Sequence, residues 1–102
     1  MKYAAELKHC KSVRAVGLTD ATTGELVGKI IGHWSDNPAG SVCTVTLYAF
    51  GEFLTQTATA GGYGYDKWAD ALARLEWRGE RVPYNGARSW FAERGVNYLE
   101  VL

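Results

Sequence analysis

No stretch of this chain stays apolar for the roughly 18 residues that a membrane-spanning helix needs, so a bilayer is not expected among its partners. An excess of either charge is missing too: eleven basic residues balance eleven acidic ones, for a formal net charge of zero. The balance holds along the chain, with 5 basic and 4 acidic residues through Gly51 and 6 and 7 from Glu52 onward. Nonspecific binding of nucleic acid needs surplus positive charge to displace counterions, and imitation of DNA needs surplus negative charge; neither is expected here. Cysteine is scarce, with only Cys10 and Cys43, and the opening Met1-Lys2-Tyr3-Ala4-Ala5-Glu6 lacks the apolar core of a secretory signal. The expectation is a cytoplasmic protein with free thiols.

A complete catalytic or metal signature is also lacking. His9, Cys10, His33 and Cys43 carry the right atoms for zinc but not the close paired spacing of its ligands, and no metal or other cofactor is expected. The same residues could form a Cys-His nucleophilic pair only if folding brought them together. Asp66 and Asp70 lie one helical turn apart, and Asp70 can pair with Arg74 at i, i+4, so the carboxylates need no catalytic explanation.

What is present is apolar and aromatic. A hydrophobic fraction of 47%, with four Trp and six Tyr in 102 residues, supplies one core and suits a single domain spanning 1–102. Residues 1–11 have Tyr3, Ala4, Leu7 and Lys8 at helical spacing, but the segment is short and its role stays open. Strands are expected at Ser12 to Leu18, Leu26 to Ser35, Ser41 to Phe50 and Phe53 to Thr59, separated by Thr19–Glu25, Asp36-Asn37-Pro38-Ala39-Gly40 and Gly51-Glu52. Short turns cannot hold parallel crossovers, so these should form a four-stranded antiparallel meander. The predicted cover is a helix from Asp66 to Arg78, capped by Asp66 and stopped by Gly79, with Trp68, Leu72 and Leu75 on one stripe. A second, shorter helix follows Pro83-Tyr84-Asn85 and ends at Gly95, and Asn97 to Leu102 reads as a short extended segment. The class is α+β.

Two features call for more than folding. Gly61, Gly62 and Gly64, with Tyr63 and Tyr65 between and after them, form a junction from strand to helix where backbone can bend tightly or approach a ligand. Its spacing matches neither the Gly-x-Gly-x-x-Gly nor the Gly-Lys-Ser/Thr phosphate fingerprint, which favours a structural turn. On the main helix a second stripe of Ala69, Ala73 and Trp77 falls opposite Trp68, and must meet the second helix, another copy of the chain, or a target. Trp and Arg dominate protein-binding hot spots, so Lys67, Arg74, Trp77, Arg78, Arg81 and Arg88 are the residues singled out for partner contact.

The segment Ala58-Thr59-Ala60-Gly61-Gly62-Tyr63-Gly64-Tyr65-Asp66-Lys67, continued by Trp68-Ala69-Asp70-Ala71-Leu72, resembles small proteins of bacteriophages, prophages and plasmids. The resemblance assigns no residue a role. It implies a class: small mobile-element proteins often inhibit host defence, anti-CRISPR proteins among them. The expected partner is then a bacterial protein complex, a CRISPR effector in particular, bound without catalysis in the cytoplasm of the host. Neutral charge leaves surface occlusion, induced dimerisation or allosteric locking as the modes of inhibition. Two alternatives belong to other classes. One is a nucleic-acid-binding accessory protein using Tyr48 and Phe50 with arginines; the other is a small Cys/His enzyme.

Overall fold

Apolar residues recur at every second position through most of the strand segments, and that period of two decides which face of the sheet is covered. The computed structural model describes residues 12–37, 40–50, 55–62, 67–83 and 85–101. Strands β1 (Ser12–Asp20), β2 (Leu26–Asn37), β3 (Gly40–Ala49), β4 (Gln56–Gly62) and β7 (Val96–Glu100) form one antiparallel sheet in the order β4-β3-β2-β1-β7. Val16, Leu18, Ile30, Cys43, Val45, Leu47, Ala58, Ala60, Val96 and Tyr98 are buried on one face. Their neighbours Lys29, His33, Thr44, Thr46, Thr57 and Thr59 take the other face, where cross-strand hydroxyls approach at 3.5 Å for Thr44 and Thr59 and 3.4 Å for Thr46 and Thr57.

The first turn is closed by a side chain. Asp20 accepts the N–H groups of Thr22 and Thr23 at 2.8 and 2.9 Å, and Gly24 follows at φ 74°. These N–H groups, Thr23 first, hold the Asp20 carboxyl below its ordinary pKa. Just before the turn the register slips, with Leu18 opposite Gly28 but Thr19 opposite Leu26, so Val27 is the extra residue of a bulge.

The single α+β domain is as expected, but its sheet is larger than a four-stranded meander. The segment read only as extended becomes β7 and pairs with β1, Leu18 facing Tyr98 and Val16 facing Glu100. Chain neighbours alone could not disclose this pairing, because β7 returns past both helices to reach the first strand. β4 starts at Gln56; Phe53 and Leu54 lie outside the described residues, as do the first eleven residues with His9 and Cys10. Gly61 and Gly62 end β4, paired with Val42 and Ser41, rather than forming a free loop; Tyr63, Gly64, Tyr65 and the expected cap Asp66 lie outside the described residues.

The larger correction concerns the main helix. Helix α1 covers only Lys67–Leu72, followed by tightening bonds from Arg74 N–H to Ala71 O and from Leu75 N–H to Leu72 O. Glu76–Trp77 is then a two-residue strand, β5, paired with β6 (Glu80–Arg81). Arg78 and Gly79 between them have φ of 51° and 83°, the doubly left-handed backbone of a tight hairpin turn. The two-faced helix therefore does not exist. Six more helical residues would gain only a few tenths of a kcal/mol each in propensity and side-chain pairing, and would turn Trp77 away from the sheet. Burying an indole is worth about 3–5 kcal/mol and wins. Trp77 is 2% exposed, in edge contact with Phe91 at 5.6 Å.

Helix α2 (Ala87–Glu93) lies where the sequence places it, between Gly86 at φ 73° and Gly95 at φ 72°. Its Phe91 is fully buried and stacks on Tyr98 of β7 at 5.8 Å. Arg94 lies 3.8 Å from the Trp90 ring centroid and donates to Glu80 at 2.7 Å, tying α2 to the hairpin. That bond first, and the positive charge with it, lowers the Glu80 pKa.

Two glycines of β2 admit the two tryptophans. A Cβ on Gly32 would collide with the Trp68 ring, lying 2.7 Å from Cε3, and one on Gly28 would lie 3.0 Å from Trp77 Cζ3 and 2.8 Å from the Tyr48 carbonyl oxygen. Gly32→Val should therefore lower stability by about 1–3 kcal/mol through overpacking, and an unchanged urea midpoint would refute the contact. Trp77→Ala should cost about 3–5 kcal/mol in the same measurement; a variant as stable as the parent would mean that Trp77 is not a core residue.

Candidate functional site

The covered face does not stay apolar to its end. Arg14 continues the phase of Val16 and Leu18 in β1, and Glu100 continues that of Val96 and Tyr98 in β7, so two opposite charges are carried to the helical side of the sheet. There Arg14 Nε donates to Glu100 Oε1 at 2.6 Å, and Nη2 donates to the same oxygen. The two side chains are 35% and 41% exposed, so the pair's direct worth is small, about 0.2–1 kcal/mol. Its geometric effect is larger, because it lays the guanidinium 4.4 Å from the centroid of Trp68. Trp68 is held in turn by stacking on Trp34 at 6.2 Å and by its seat over Gly32. These contacts are shared among β1, β2, β7 and α1.

Between this platform and α2 is an open cleft of about 300 Å³. Arg14, Trp68, Leu72, Arg88, Tyr98 and Glu100 supply its main side chains. Tyr98 is 7% exposed, and burial pushes its phenol above the ordinary pKa, with the neighbouring Trp68 indole N–H acting the other way. It is therefore a neutral phenol at physiological pH. Arg88 stands exposed on α2 at the cleft's side and forms no ion pair among the described residues. The arrangement is a flat aromatic wall with one pinned and one free guanidinium, suited to holding a group that accepts hydrogen bonds.

Of the six residues singled out from sequence, Arg88 alone lines this cleft. Lys67 is buried at the start of α1, and Trp77 is core. Arg74 is exposed and donates to Asp70 at 3.2 Å, as the i, i+4 spacing predicts. Arg78 sits at the hairpin turn, 5.1 Å from the Trp77 ring centroid, where its charge also acts on Asp20. That is the far end of β1 from Arg14, about 20 Å along the strand at its usual rise. Arg81 is exposed on β6. The helix expected to carry Lys67, Arg74, Trp77 and Arg78 ends at Leu72, so these four do not share one helical surface.

The structure also separates other candidates. His33 and Cys43 point to opposite faces of the sheet, His33 facing Thr44 and Cys43 facing Trp34, so they do not form a Cys-His pair. Among the described residues no three His, Cys, Asp or Glu side chains group as metal ligands. Tyr48 lies beneath the Lys29 ammonium at 5.0 Å, and Phe50 is 46% exposed just past β3. No described helix is long and apolar enough to cross a membrane.

No protein family, curated protein or solved structure matches the chain.

Tyr98 generates a pH dependence with a definite sign. Its folded pKa lies above the unfolded value near 10, so its contribution to stability is complete below about pH 10 and is lost as pH rises beyond it. Denaturation midpoints measured between pH 8 and 11.5 should fall at the alkaline end, and Tyr98→Phe should make that fall shallower. An identical alkaline slope in the two proteins would exclude the buried phenol as its source.

Proposed function

We propose that this is a non-enzymatic binding protein that acts by stoichiometric association with a bacterial protein complex, and that it engages the complex through the cleft between α1 and α2. The observation that carries this reading is the preset platform of Arg14, Trp68, Tyr98 and Glu100 beside the free Arg88. Trp, Tyr and Arg are the residue types that dominate protein-binding hot spots. Here the two rings and one guanidinium are already held in place, so ordering them costs little when a partner arrives. Zero net charge favours a partner recognised by local fit over a generic polyanion. The likeness of Ala58–Leu72 to small phage and plasmid proteins supports a host defence complex as the partner class, with anti-CRISPR inhibition as the specific activity.

The test pairs infection with capture. Expressed in a bacterium whose CRISPR system targets a phage, the protein should restore plaques, and the tagged protein should retain the effector complex after nuclease treatment. Arg88→Glu should weaken capture by about tenfold or more without moving the melting temperature, whereas Arg81→Glu should not. Capture that disappears with nuclease and falls steeply with salt would favour the nucleic-acid reading built on Tyr48 and Phe50. Normal capture by Arg88→Glu would remove the cleft from the interface.

A further inference from the structure

The donors of the cleft are not all used within the fold. Tyr98 borders the cleft beside the Trp68 indole, whose N–H can only donate, so the phenol O–H is a donor that the indole cannot use. Tyr98 is more than nine-tenths buried yet lines the cleft. Arg14 commits only its Nε and one Nη to a single Glu100 oxygen, and Arg88 commits none of its donors to an ion pair among the described residues. A phenol O–H and two incompletely used guanidiniums thus border a space of about 300 Å³.

We infer that the cleft receives the carboxylate of an aspartate or glutamate side chain from the partner protein. This rests on the reading of the cleft as the contact surface, and adds the chemistry that fits it. Two guanidiniums against one carboxylate leave a local charge of +1, which one incoming carboxylate neutralises. Guanidinium presents paired N–H groups that match a carboxylate's two oxygens, and Tyr98 adds a third donor. Trp68 and Leu72 give an apolar wall for the methylene stem. Glu100 meanwhile opposes a doubly charged phosphate monoester. A nucleic-acid backbone is bound through several phosphates at once, and the space holds a side chain rather than a strand.

The test uses small probes and needs no partner. N-acetylglutamate α-amide, titrated into 15N-labelled protein, should shift the Trp68 indole resonance saturably, in the millimolar range, and the uncharged N-acetylglutamine amide should not. Arg88→Gln leaves the folded core untouched and should weaken the glutamate probe by about tenfold or more, the usual effect of losing a charge-assisted hydrogen bond; Tyr98→Phe should weaken it as well. Equal shifts from both probes, or undiminished binding by Arg88→Gln, would overturn the inference. Tighter binding of N-acetylalanine would reassign the site to a chain-terminal carboxylate, and tighter binding of inorganic phosphate would reassign it to a phosphate; either outcome rejects the acidic side chain. If the glutamate probe binds and effector capture fails, the carboxylate site stands and the proposed function falls; the reverse result retains the interface and removes the carboxylate from it.

Discussion

The seating of two indoles on one strand governs this fold. Gly28 and Gly32 stand on the covered face of β2, two pleat repeats apart, and each leaves the volume of a missing side chain. Trp77 fills one gap and Trp68 the other. Because Trp68 must sit over Gly32, α1 is fixed over β2 to β4; because Trp77 must sit over Gly28 only nine residues later, the chain cannot remain helical between them. The hairpin of β5 and β6 follows from that demand, as does the left-handed backbone at Arg78.

Much of the sheet was legible because strands with one covered face alternate visibly. The Val42 to Ala49 run and the Asp20 turn could be read without structure, as could α2, bounded by glycines on both sides. The short α1 could not. From Lys67 to Arg78 the residues are good helix formers, and the local pattern offered two consistent stripes. What overrode it was tertiary: a cavity above Gly28, on a strand some fifty residues earlier, large enough for an indole. β7 was missed as a sheet member for a related reason, since its partner is β1, and nothing in five residues announces a distant edge.

The cleft was less legible than the fold. Arg88 was singled out for its type and neighbourhood, but Arg14, Trp68, Tyr98 and Glu100 come together only through the β1–β7 pairing. A signal did exist. Arg14 and Glu100 each occupy a position that strand alternation reserves for an apolar side chain, and they carry opposite charges. Two such exceptions of opposite sign, at the ends of strands that both face the core, mark a pair that folding brings together. Reading them requires knowing that the strands are neighbours.

That pairing has a temporal meaning as well. Arg14 and Glu100 are 86 residues apart, so pairing their strands closes a long loop. Loop closure of that span is entropically costly and is repaid only once the intervening hairpins and α2 are in place. A chain synthesised as far as α2 already holds Trp68 and Arg88, yet has no Tyr98 to floor the cleft and no Glu100 to flatten Arg14 against the indole. The geometry of the cleft thus depends on the last strand, and a chain lacking β7 would present the Trp68 ring without Tyr98 and Glu100 around it.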